Sequence, residues 1–162
     1  MDSKRFIDNG DGTVTDSQTK LTWTIQDSWQ YENQWLSWDE AEKYVERLNT
    51  VSFAKTQDWR LPTRLEIATL YEPDKINKDK YGKDIFLNPI FPEGPLAKDW
   101  TCDYNGNDAF IFDFSTGESS ELYKSKAGRM AARAVRNPGL KTSDTENADV
   151  FDEEKFSTTQ KY

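Results

Sequence analysis

The sequence predicts a single α+β domain followed by a tail, and three local patterns support this. The 162-residue chain opens with a β-hairpin pattern, continues with two amphipathic helix patterns and then has a β meander. Residues 1–138 form the predicted domain. Residues 139–162, rich in Ser, Thr, Asp and Glu, form a predicted acidic tail.

The hairpin is predicted by residues 5–8 and 13–16, which flank turn residues that tolerate positive φ. The run Asp8-Asn9-Gly10-Asp11-Gly12 also has the acidic and glycine content of a calcium loop. Aligning that loop on Gly12 puts Ile7 and Gln18 at the two outer ligand positions, where oxygen ligands are required. We therefore favour a plain hairpin turn.

Two helices are predicted by capping boxes followed by apolar residues at helical spacing. Ser37 with Glu40 begins a helix over residues 38–48, and Thr63 with Glu66 begins a second helix. The predicted apolar side of the second helix comprises Leu65, Ile67, Ala68, Leu70 and Tyr71.

Loops and strands complete the prediction. Residues 26–36 and 72–99 are predicted loops, and Ile90 and Phe91 in the second are expected to pack against the domain. Strands are predicted at residues 100–104, 109–114, 121–124 and 130–136, with Phe110, Phe112 and Phe114 on one face.

Composition excludes several functions. The chain has no histidine and one cysteine, so it lacks the usual general base, an intramolecular disulfide and any Cys-rich zinc site. Its net charge of −8 disfavours nucleic acid as a partner. No apolar run approaches the roughly 18 residues that span a bilayer, so membrane insertion is not expected. We expect no cofactor and no bound metal.

Four motifs occur in a recognisable order: residues 5–23, Asp58-Trp59-Arg60-Leu61-Pro62-Thr63, Asn88-Pro89-Ile90-Phe91-Pro92 and Arg133-Ala134-Val135-Arg136. Together they resemble the bacterial family typified by the C-terminal domain of Legionella collagen-like adhesins (Lcl), over about residues 5–137. The resemblance implies a C-type-lectin-like fold, with two helices packed on small antiparallel sheets, a long loop region and neighbouring termini.

The resemblance also implies adhesin-like binding, because some relatives bind sulfated glycans and many are secreted or surface-bound. The N-terminus Met1-Asp2-Ser3-Lys4 has no secretory signal pattern, which would indicate a cytoplasmic protein if this start is native. The acidic composition differs from that expected of a sulfated-glycan binder. Formylglycine-generating enzymes share the implied fold, but their chemistry needs paired cysteines and only Cys102 is present.

The candidate ligand-binding residues lie around the first turn of the meander, which lines the usual ligand surface of the implied fold. They are Trp100, Asp103, Tyr104, Asn105, Asn107 and Asp108. Aromatic rings beside amide and carboxylate groups suit both sugars and protein surfaces. A core tryptophan and a plain Asn-Gly turn are the alternative interpretation.

Three other candidates are weighed against structural roles. Glu72-Pro73-Asp74 is similar to the calcium and sugar motif of calcium-dependent C-type lectins, but we favour a helix end and turn. Arg60, Arg133 and Arg136 suit an anion clamp, yet pairing with carboxylates near the core is favoured. Cys102 is interpreted as a buried structural cysteine.

The sequence therefore predicts a non-enzymatic recognition domain that binds a glycan or a protein through residues 72–108. Two alternatives remain. One is an oxidative enzyme of the formylglycine-generating type, and the other is an assembly protein that docks through its C-terminal tail.

Overall fold

The computed structural model describes residues 4–137, which form an α+β domain, as the sequence predicts. The helices are α1 (Ser28–Glu32), α2 (Trp38–Thr50) and α3 (Arg64–Ala68), with a 3-10 turn at Phe53–Lys55. The strands are β1 (Phe6–Asp8), β2 (Thr13–Asp16), β3 (Thr22–Thr24), β4 (Asn77–Lys78), β5 (Asp84–Ile85), β6 (Lys98–Asn105), β7 (Asp108–Asp113), β8 (Glu118–Tyr123), β9 (Met130–Ala131) and β10 (Val135–Arg136). None of the helices in this range is long and apolar enough to cross a bilayer. The predicted tail lies outside the described residues.

The first sheet has the strand order β1-β2-β3-β10, and all its neighbouring strands are antiparallel. Gly10 and Gly12 adopt φ of 80° and 90°, and the Asp8 carboxylate accepts a hydrogen bond from the Gly10 N–H. The Asp11 carboxylate accepts hydrogen bonds from the N–H and hydroxyl of Thr13. The predicted hairpin is confirmed, and its acidic side chains stabilise the turn.

The second sheet has the order β8-β7-β6-β9 and separates two hydrophobic cores. Residues on β6 and β7 alternate between the two faces of the sheet. The first core, on the α2 side, includes Tyr44, Leu48, Trp100, Ala109 and Ile111. The second core, shared with α3 and the first sheet, includes Ile67, Leu70, Phe91, Phe112 and Phe114.

The predicted loop over residues 26–36 is wrong in part, because this segment contains α1. The Asp27 side chain accepts a hydrogen bond from the Gln30 N–H, and the Gln30 side chain accepts one from the Asp27 N–H. The helix is therefore started by a capping box. It is only five residues long, so apolar spacing does not reveal it. The domain thus has three α-helices, not the two that were predicted.

The second predicted helix, α3, begins at its capping box as expected but is only five residues long. Ile67 is fully buried, whereas Leu65 is 83% exposed. Including Leu65 and the likewise exposed Ala68 in the apolar side was therefore wrong, because such a short helix turns only a narrow stripe toward the core.

Two further segments differ from the prediction. The loop over residues 72–99 contains the small hairpin β4–β5, although its Phe91 packs into the second core as expected. Residues 130–136 form two short strands in different sheets. β9 pairs in parallel with β6, and β10 pairs with β3. Residues 132–134 thus connect the two sheets.

Hydrogen bonds tie this connection to residues 24–28, which end at the first residue of α1. The Ser28 N–H donates to the Ala132 carbonyl at 2.8 Å, and the Ala132 N–H donates to Ser28 Oγ at 2.9 Å. Arg133, which is 1% exposed, donates through Nη1 to the Thr24 and Ile25 carbonyls at 2.9 and 2.8 Å. We call residues 24–28 with 132–134 the junction, since they join the two sheets.

The junction holds buried charge. The Asp27 carboxylate accepts hydrogen bonds from the N–H groups of Gln30 and Leu96, and the nearby positive charge of Arg133 stabilises its ionised form. Asp99 Oδ1 is buried and has no hydrogen-bond partner among residues 4–137. Burial, and then the charge of Asp27, raise the pKa of Asp99 to about 8. Although burial also raises the pKa of Asp27, we assign the negative charge to Asp27 and the proton to Asp99.

Asp99→Asn tests this assignment. Because the folded pKa of Asp99 lies above its unfolded value, Asp99 lowers the free energy of unfolding as pH rises toward 8. The slope contributed by this one proton approaches about 1.4 kcal/mol per pH unit. We expect the Asp99→Asn variant to lose this contribution to the pH dependence of the free energy of unfolding, measured by urea unfolding between pH 5 and pH 8. The exposed control Asp74→Asn should keep it. Identical pH profiles for Asp99→Asn and the unmutated chain would contradict the assignment.

Candidate ligand-binding groove

A surface groove lies where the N-terminus of α2 meets one end of the second sheet. Its volume is about 630 Å³. One wall consists of Ser37, Asp39 and Glu40, and the other consists of Asn107, Tyr123, Lys124, Ser125 and Ala127. We call this feature the α2 groove.

The helical wall is held in place by a capping box and by contacts with the sheet. Ser37 Oγ accepts a hydrogen bond from the Glu40 N–H, and Glu40 Oε1 accepts one from the Ser37 N–H. The Trp38 N–H donates to the Lys124 carbonyl at 2.9 Å, and Trp38 Nε1 donates to the Thr101 carbonyl at 2.9 Å. The first turn of α2 is therefore fixed against both β6 and the end of β8.

The sheet wall follows from the antiparallel meander. The end of β8 lies beside the start of β7, with Tyr123 opposite Asp108. The Lys124 N–H then donates to the Asn107 carbonyl at 3.0 Å, which ties the β8 end to the first hairpin turn. Neither wall depends on a long loop.

A cluster of aromatic rings flanks the groove. The Tyr104 ring lies 5.3 Å from the Trp38 ring, and Lys124 Nζ lies 4.2 Å from the first ring and 4.5 Å from the second. Tyr104 remains 56% exposed and Tyr123 54% exposed. Cation–π contact with Lys124 orients the Tyr104 ring while leaving much of its surface open to a ligand.

The charges of the groove are mainly acidic. Asp39 makes no side-chain hydrogen bond or ion pair within residues 4–137, whereas Glu40 is occupied by its capping box. Burial, followed by the charges of Asp39 and Glu46, raises the pKa of the adjacent Glu42. This acidity and the amide of Asn107 suit hydroxyl and N–H donors, and they oppose the binding of anions.

The structure separates the six residues predicted to bind ligand. Asn107 lines the groove and Tyr104 flanks it, while Asn105 and Asp108 pair at the end of the hairpin. Asp103 lies away from the groove and accepts hydrogen bonds from Arg64 N and Nε. Trp100 is fully buried and donates from Nε1 to the Leu36 carbonyl. Trp100 therefore follows the alternative interpretation, that of a core residue, and cannot contact a ligand.

Sequence reasoning missed most of the groove. Tyr123 and Lys124 carried a usable signal, because an antiparallel meander places the end of its third strand beside its first turn. No sequence pattern indicated that Ser37, Asp39 and Glu40 would line the groove. Their position depends on the docking of α2, which the capping box alone does not predict.

The remaining candidates have structural contacts. Arg60 forms a bidentate ion pair with Glu66, and Arg136 forms one with Asp58, so pairing with carboxylates is confirmed for both. Arg133 instead binds carbonyls in the junction. These contacts leave no shared anion clamp among the three arginines.

Glu72 and Cys102 likewise have local roles. Glu72 Oε1 accepts a hydrogen bond from Asn88 at 3.2 Å, and its Oε2 lies 3.6 Å from Arg5 Nη1. Cys102 is only partly buried, which corrects the expectation of a buried cysteine. Burial nevertheless raises the pKa of its thiol to about 11, so the thiol is not activated as a nucleophile at neutral pH.

A family model described as the Lcl C-terminal domain matches residues 12–136. The match includes nine of the ten strands, all three α-helices and every residue of the α2 groove. The chain belongs to the Lcl C-terminal domain family. The Lcl C-terminal domain is not an enzyme family, and membership suggests an adhesin-like domain. No curated protein matches this Lcl C-terminal domain significantly.

Ser37→Ala tests how firmly the capping box holds the groove wall. Loss of the hydroxyl leaves the Glu40 N–H without its acceptor, so we expect the free energy of unfolding to fall by about 1 kcal/mol. The control Ser125→Ala removes an exposed groove hydroxyl that makes no hydrogen bond within the described range. It should change stability by less than about 0.5 kcal/mol. Equal urea midpoints for the two variants would show that the cap does not stabilise α2.

Proposed function

We propose that this Lcl C-terminal domain is a non-catalytic recognition domain that binds an uncharged glycan in the α2 groove. One observation carries the proposal. The 54% exposed Tyr123 lines the groove together with Asn107 and Asp39, and the 56% exposed ring of Tyr104 lies at its edge, 4.2 Å from Nζ of the lining residue Lys124. Tyrosine rings supply rigid contact area at low entropic cost, and amides and carboxylates bind hydroxyl groups.

The charge of the groove favours an uncharged ligand. Asp39 and Glu40 line one wall, and the main cation, Lys124, already lies over the rings of Trp38 and Tyr104. A sulfated sugar would approach acidic side chains in a chain of net charge −8. The proposal therefore differs from the sulfated ligands that the family resemblance alone implies.

The fold supports a C-type-lectin-like assignment, which we also propose. β10 belongs to the same sheet as the N-terminal strand β1, from which it is separated by β2 and β3, so both ends of the domain contribute to one sheet. The candidate groove uses the hairpin between β6 and β7, although the long region over residues 72–99 contributes nothing to its lining.

A glycan array containing neutral and sulfated oligosaccharides tests the function. We expect neutral sugars to bind and Tyr104→Ala or Tyr123→Ala to weaken binding about tenfold, since each substitution removes an aromatic contact. Tyr31→Ala is the matched control. Tyr31 lies on α1 and is 48% exposed, and its ring packs against Phe53 outside the α2 groove. This substitution should leave the affinity unchanged.

Three outcomes would contradict the proposal. Binding of sulfated sugars alone would overturn the neutral-ligand assignment. Equal losses for Tyr31→Ala and Tyr104→Ala would remove the groove as the site. Absence of any glycan binding, with a purified protein captured through Tyr104 and Tyr123 instead, would assign the groove to protein recognition.

A further inference from the structure

A second pocket, independent of the α2 groove, lies beside the start of β6. It has a volume of about 250 Å³ and is lined by Tyr81, Lys83, Leu96, Ala97, Lys98 and Arg129, together with Asp79. Leu96 is buried beneath it, and Tyr81 is 43% exposed at its side. This volume suits one large apolar side chain rather than an extended ligand. We call it the basic pocket.

The basic pocket concentrates positive charge in an acidic protein. Lys83, Lys98 and Arg129 form no ion pair with a carboxylate among residues 4–137. The Arg129 guanidinium lies 5.0 Å from the centre of the Tyr81 ring. The one lining carboxylate, Asp79, accepts hydrogen bonds from the N–H groups of Tyr81 and Lys83. The pocket therefore presents an apolar floor with cations at its rim.

That chemistry selects an apolar side chain with carboxylates on both sides. Residues 144–154 of this chain contain six acidic residues and no basic residue. Within them, Phe151 has Asp149 before it and Asp152, Glu153 and Glu154 after it. The only other phenylalanine beyond residue 137, Phe156, directly follows Lys155.

We propose that the basic pocket binds residues 149–154 of the same chain, with Phe151 as the apolar anchor and the acidic residues at the cationic rim. Thirteen residues lie between Asn137 and Phe151, and the 14 residue steps that join the two can extend about 46 Å. A compact domain of this size is about 36 Å across. Tethering raises the effective concentration of the segment to the millimolar range, so weak contacts are sufficient for binding within one molecule.

The test uses the full chain and follows the backbone amide resonances of Lys83, Ala97, Lys98 and Arg129 by NMR. Phe151→Ser should shift these four resonances, whereas the matched Phe156→Ser should not. Arg129→Gly should produce the same shifts elsewhere in the pocket as Phe151→Ser. The Arg129→Gly substitution is compatible with the local backbone, because Arg129 adopts a φ of 64°, a region that favours glycine. Lys43→Gln, on the exposed side of α2, controls for the loss of one positive charge.

A free peptide with the sequence of residues 147–156 provides the second measurement. It should bind the Phe151→Ser chain about tenfold more tightly than the unmutated chain, because the tethered segment no longer competes. Unchanged pocket resonances in Phe151→Ser, or equal effects of the two phenylalanine substitutions, would overturn the proposal. Resonance positions that depend on protein concentration would assign the pocket to a segment of a second copy and would overturn binding within one chain.

Discussion

The fold depends on the junction, because this is where its two sheets are joined. Residues 132–134 leave β9 of the second sheet and enter β10 of the first, so an edge strand of each sheet is attached to this connection. Hydrogen bonds of Ser28 and Arg133 join this connection to residues 24–28, and Asp27 of that segment accepts a hydrogen bond from the Leu96 N–H. Burying these polar groups is costly unless they are hydrogen-bonded. The contacts therefore favour one arrangement of the sheets over its alternatives.

The α2 groove is built on the second sheet, whose strand β9 leads into this connection. Leu36 donates to the Met130 carbonyl at the start of β9, and Trp38 donates to the Lys124 carbonyl at the end of β8. The indoles of Trp38 and Trp100 then bind backbone carbonyls of Thr101 and Leu36 across the same contact. The N-terminus of α2 is thus positioned by backbone carbonyls of the second sheet and of Lys124, and the candidate recognition surface rests on rigid elements of the core.

Local chemistry predicted local structure well. Capping boxes located the starts of α2 and α3, and the Asn-Gly turns located two hairpins, because those signals act within a few residues. These local signals do not predict how distant segments pack against one another. The sequence placed Trp100 among ligand-binding residues, although its indole is buried against Leu36, and it joined residues 130–136 into one strand. The groove itself combines residues from positions 37–40 and 107–127, a pairing that only tertiary packing determines.

Native-state hydrogen exchange at the junction tests the central claim most directly. The amides of Ser28, Leu96 and Ala132 donate to the junction contacts. If the fold depends on these contacts, the three amides exchange only through global unfolding, with the same free energy as the Ile111 amide in β7. Exchange of the three at a clearly lower free energy, while Ile111 remains protected, would show that the sheets persist without the junction and would contradict the account.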